Sequence, residues 1–137
     1  MPWTTDYFDG GAYMRFSGVT TGDDFIRANA DFYAHAQPPG LRFVVADLSA
    51  IERYEADRTD IARIADQNVA LTASALPDLV VAVVAPDLVP FGMARMWEIQ
   101  AWQTGWRTKI ARSRSEAMAW LAEQGIAVDR FEKADDV

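Results

Sequence analysis

Apolar residues recur along this chain with two periods, and each change of period marks an element. Residues 12–16, AYMRF, alternate as a strand does, and the short DYF segment can pair with them across a DGG turn. From TTGDDF onward the period becomes helical. Phe25, Ala28, Phe32 and Ala36 share one face, Thr21 caps the helix with Asp24 three residues on, and QPPG stops it. LRFVVADL is apolar on both sides of its centre, which suits a buried parallel strand. The next helix begins near Arg58, with Ile61, Ile64, Ala65 and Leu71 facing inward. LPDLVVAVVAP is a further doubly buried strand, residues 87–104 a third helix and RTKIAR an edge strand. SEAMAWLAEQG forms a last helix ended by Gly125. The tail, IAVDRFEKADDV, ends in charge and is expected to fray.

Strands thus alternate with helices throughout. That order predicts an α/β fold, a single-domain sandwich with a central, mostly parallel sheet flanked by helices and joined by right-handed crossovers. No linker or repeat divides the 137 residues, and the core is expected over about 12–121.

Composition acts mainly by exclusion. There is no cysteine, so disulfides, thiolate metal sites and cysteine nucleophiles are absent. Thirteen basic residues against 20 acidic ones give a net charge of −7, and the basic residues are scattered. Nucleic acid, which demands a basic face, is therefore not an expected partner. No apolar run approaches the roughly 20 residues of a membrane span, and no secretory signal is visible. The expectation is a cytoplasmic protein.

Familiar catalytic signatures are missing too. The chain has no glycine-rich phosphate loop, no G-x-S-x-G and no H-E-x-x-H. Its one histidine, His35, falls at a helix end, where the dipole favours it. No catalytic, cofactor or metal residue is assigned on this basis. The stretch RFVVADLSAIERYEADRTDIARIA holds most of the remaining interest. Its apolar run ends on Asp47, and a loop with Glu52, Glu55, Asp57 and Asp60 leads into a helix. Open α/β sheets keep their ligands at such strand ends. Asp47 is expected to meet amides of the following turn, and Asp57 to cap the helix with Asp60. A phosphoacceptor receiver domain would need an acidic pair after the first strand and a lysine after the fifth. YMRFSG and KIARS supply neither.

The phrase VVADLSAI before a capped helix resembles the STAS family of anti-sigma-factor antagonists. VAVVAPDLVPFGMARMWE followed by IARSRSEAMAWL resembles the SpoIIAA-like bacterial group, related in fold to CRAL-TRIO lipid-binding domains. The resemblance covers most of the chain and implies a small sandwich that works by binding. In the antagonists a serine in a D-S-S-G motif is phosphorylated at the start of the helix after this loop. The matching position here is Asp57, within EADR. An aspartate accepts no phosphate from a serine kinase and carries less charge than phosphoserine. Thr59 is a displaced hydroxyl, and Ser49 is the other one in the stretch. The phosphorylation switch is thus expected to be absent, leaving Asp47, Ser49, Asp57 and Thr59 at a partner or ligand surface.

FGMARMWEIQAW is too apolar for a helix that covers one side of a sheet. At about 100° per residue from Phe91, Ala94, Trp97 and Ala101 lie between roughly 240° and 300°, while Met93 and Met96 lie near 200° and 140°. Met93 and Met96, with Trp97 at the margin, are expected to form an outward patch. Three readings follow: a regulatory protein-binding module that forms a homodimer through this patch, a carrier of a small apolar or lipid-like ligand held between helix and sheet, and, third, a carboxylate enzyme at the Asp47 loop.

Overall fold

The expected hairpin opens the fold of this computed structural model, which describes residues 2–35, 41–74 and 78–128. β1 (Trp3–Phe8) and β2 (Gly11–Thr21) run antiparallel, turning at Gly10, whose φ of 86° suits a residue without a Cβ. α1 (Gly22–His35), β3 (Phe43–Glu55), α2 (Arg58–Ser74), β4 (Val80–Val84), α3 (Leu88–Gln100), β5 (Arg107–Ala111) and α4 (Arg114–Glu123) follow. A single 3-10 turn, Trp102–Thr104, links α3 to β5. Ala36, the QPPG stop, Leu76, Pro77 and the charged tail from Asp129 lie outside the described residues.

The sheet has the order β1-β2-β3-β4-β5, parallel from β2 onward, so each crossover steps one strand in the same direction. Right-handed crossovers then place every connecting helix on one face. Packing follows that rule. Met14, Phe16, Val44, Val81 and Val83 join α1, α2 and α3 in one core. Tyr13, Val45, Ala82 and Val84, the alternate positions, join α4 in a second. This is why the central strands read as continuous apolar runs: both of their faces are buried.

β3 departs from its expected bounds. It does not end at Leu48 but continues to Glu55, so Glu52 and Glu55 stand on a strand rather than in a loop. Its second half pairs with Ser17–Thr21 of β2, and between the Arg15–Asp47 and Thr21–Glu55 pairs it carries two more residues than β2, with register shifts on either side of Ser17 and Gly18. Gly18, at a φ of 64°, absorbs part of the irregularity. The local pattern hides this strand because tertiary contacts hold it. Ile51 is buried, and the Tyr54 ring lies 5.8 Å from Phe25 of α1. Pairing between β3 and β4 stops at Asp47 and Val84, so the β2–β3 ribbon overhangs the rest of the sheet.

The expected caps are present. Thr21 N–H donates to Asp24 Oδ2 (2.9 Å) and Asp24 N–H to Thr21 Oγ1 (3.2 Å). Asp57 and Asp60 repeat the exchange at α2, at 3.0 and 2.9 Å. Gly22 presses on the Asp60 side chain so closely that any Cβ would overlap it, which locks the starts of α1 and α2 together. α4 is capped by Ser113, which accepts from Glu116 N–H at 3.1 Å. It ends on Gly125, with Ile126 N–H donating back to the Leu121 carbonyl. His35 closes α1 and stacks on Tyr7, 3.8 Å between ring centres.

Candidate functional site

Two concavities flank the sheet, one beneath its three-helix face and one at the carboxyl ends of the parallel strands. The first is a partly open cavity of about 100 Å³ between the sheet and the three helices of the crowded face. Its walls are almost wholly apolar: Phe16, Phe25, Phe32, Leu48, Ile64 and Trp97 are typical. The polar exceptions are organised. Asn68, buried on α2, donates from Nδ2 to Tyr33 Oη of α1 (2.5 Å) and accepts at Oδ1 from Trp97 Nε1 of α3 (2.8 Å). One amide thus ties three helices together. Burial pushes the Tyr33 phenol up to about 12, with the Asn68 bond working in the opposite direction. The phenol therefore stays neutral, and the wall is uncharged.

Trp97 is accordingly an inner residue. Met93 and Met96 do not form the expected outward patch, since both are half-buried against the main core. The covered arc of α3 is wider than a sheet contact alone would make it, because α2 also packs along it, as the Asn68–Trp97 bond shows. What faces outward is a different stripe: Leu88 (75% exposed), Val89, Ile99 and Trp102 (73% exposed), the last just beyond the helix.

The second concavity is a cleft of about 460 Å³ where β4 and β5 end and the β2–β3 ribbon overhangs. Arg15, Asp47, Ser49, Arg112, Ser113 and Arg114 line it, with Phe16, Ala50, Val84 and Pro86. Asp47 is buried and fully engaged. Oδ2 accepts from Tyr13 Oη (2.5 Å), and Oδ1 accepts from both the amide (2.9 Å) and the hydroxyl (2.6 Å) of Ser49. The expected contact with a following amide is therefore real, though it forms inside a strand. Arg114 Nε donates to Tyr13 Oη at 3.3 Å, which extends the chain of bonds to α4. Burial holds the Tyr13 phenol well above its ordinary value, the bond to Asp47 and its charge add to the rise, and Arg114 opposes it.

The expected surface residues therefore separate. Asp47 and Ser49 belong to the cleft and Trp97 to the cavity. Asp57 and Thr59 stand exposed at the start of α2 and line neither concavity. Arg15, Arg112, Ser113 and Arg114 are cleft residues that no motif announced, and buried Tyr13 bonds both Asp47 and Arg114 from behind the cleft wall. The one available signal was the RSRS run between an edge strand and a helix. Among the described residues no three acidic or histidine side chains converge as a metal ion would need, and no helix is long and apolar enough to cross a membrane. No protein-family model, curated protein or solved structure matches the chain.

Proposed function

We propose that this chain is a cytoplasmic, non-catalytic binding module of STAS-like character whose ligand is a small apolar molecule held between the sheet and α1, α2 and α3. The cavity carries the reading: about 100 Å³ of space with an aromatic and aliphatic wall. Close-packed interiors seldom leave such a void. Size then narrows the ligand class. An apolar cavity of about 150 Å³ holds a benzene ring, so this smaller one suits a short aliphatic group or, with a slight outward shift of its walls, a single ring. An entire lipid chain would require the helices to part.

The test is uptake of benzene and of butane by the native chain, read by thermal shift and by mass spectrometry of the undenatured protein. Ala46 lines the cavity from β3, and Ala46→Ile would fill much of it. Saturable binding by the native chain and its loss in a folded Ala46→Ile variant are the expected results. Equal binding by both would place the ligand elsewhere.

A second reading, homodimerisation, is favoured by the outward stripe of Leu88, Val89, Ile99 and Trp102. Exposed apolar residues of this size, here a pair at each end of α3, can mark an interaction surface, and a two-fold axis covers such residues with their own copy. Light scattering should then show a dimer for the native chain and a folded monomer for Ile99→Glu/Trp102→Glu. A native monomer at high concentration would end this reading.

A further inference from the structure

We propose that the occupant of the apolar cavity is a short, neutral molecule with one hydrogen-bond-accepting oxygen, and that the Tyr33 hydroxyl donates to that oxygen. This rests on the cavity being the ligand site, and it narrows the ligand to small ketones, aldehydes, ethers and alcohols.

The direction of two hydrogen bonds points there. An indole N–H can only donate, so Trp97 Nε1, 2.8 Å from the Asn68 side chain, fixes which end of that amide faces it. That end is Oδ1. Nδ2 therefore faces Tyr33, and an amide nitrogen donates and does not accept. The Tyr33 oxygen is then the acceptor at 2.5 Å, and its own proton is left unspent. Among the described residues, none accepts it. Burial pushes this phenol up to about 12, so the proton stays on the oxygen at neutral pH. Asn68 Nδ2 carries a second proton too, so this corner calls for an acceptor.

Place is the second support. Tyr33, Asn68 and Trp97 all line the cavity, and Asn68 is buried, so the partner of the phenol lies within the wall rather than on the surface. A donor held there costs free energy when an occupant covers it without accepting from it. Such a site separates a ligand from its oxygen-free analogue more sharply than an apolar pocket separates ligands by size.

Charge and volume set the class. Among the described residues, no charged side chain lines the cavity. A carboxylate or an ammonium would enter without a counter-charge, and one hydrogen bond does not offset that desolvation. Scaled from a benzene ring in about 150 Å³, a cavity of about 100 Å³ takes about four heavy atoms.

Acetone and isobutane share that size and differ by an oxygen for a methyl group, while acetate repeats the shape with a charge. The full chain is titrated with each, followed by NMR at the Trp97 indole N–H, and the infrared stretch of bound acetone is recorded. Acetone and isobutane should bind and acetate should not. The bound carbonyl should absorb below its frequency in an alkane, as a hydrogen bond requires. Tyr33→Phe keeps the ring beside Phe32 and removes the donor. It should weaken acetone about tenfold or more, return the stretch towards its alkane value and leave isobutane unweakened, which also shows that the variant folds around an open cavity. Isobutane binding with acetone unaffected by Tyr33→Phe would overturn the proposal and leave the cavity as an apolar container. Acetate binding as tightly as acetone, or an unshifted stretch in the native chain whatever the variant does, would overturn it as well. Binding of neither neutral probe would overturn the container together with it.

Discussion

The two faces of the sheet solve the same packing problem differently. Three helices crowd one face with large side chains, Phe16, Phe25, Phe32 and Trp97 among them, and together they leave a void. One helix covers the other face, where Tyr13 and Phe43 are buried among small residues. Ala82, Ala111, Ala117 and Leu121 are all fully buried there. The sparse face has a different consequence. α4 packs on β4 and β5, and polar residues such as Asp6 and Arg15 stand on β1 and β2 beside the second core. One region thus became an apolar container and the other the rim of a polar cleft.

The contrast has measurable consequences. Leu121 is the fully buried anchor of α4. Leu121→Ala should lower stability by about 3 kcal/mol, seen as a shifted denaturant midpoint at unchanged slope. A loss below about 1 kcal/mol would mean that α4 is only lightly docked.

On the crowded face the weak point is polar. Asn68→Leu removes the partner of Trp97 Nε1 and of the Tyr33 hydroxyl in one step. A loss of about 2 kcal/mol is expected. A neutral result would show that both groups reach water, and hence that the cavity is wet.

Filling the void should do the opposite. Ala46→Ile adds bulk where space exists and places a β-branched residue on a strand, so unfolding should show a change of less than about 1 kcal/mol, or a gain. Strong destabilisation would mean the walls are too rigid to accept a side chain, and would weigh against the container reading.

The smallest effect concerns the cap of α1. Burial works against the charge on Asp24, but the Thr21 amide and hydroxyl and the Arg27 guanidinium outweigh it and hold its carboxyl below its ordinary 3.8. The folded value is depressed, so the stabilisation is present above the unfolded value and disappears as pH falls through the folded one. About 0.5 kcal/mol should be lost in acid, and Asp24→Asn should flatten that limb of the stability–pH curve.

Much of the fold was legible in the linear chain. The order of elements, the caps at Thr21 and Asp57, the doubly buried strands and the glycine stop at Gly125 were all readable. Each depends on residues within a few positions of one another, through side-chain reach and period. The overhang of β3, the outward stripe of α3 and the burial of Asn68 were not readable. Each is settled by a neighbour distant in sequence: β2 for the strand, α2 for the helix, Tyr33 and Trp97 for the amide. The cleft was hidden most completely. Its arginines lie up to 99 positions apart, at Arg15 and Arg114, and only the stacking of five strands brings their charges to one edge.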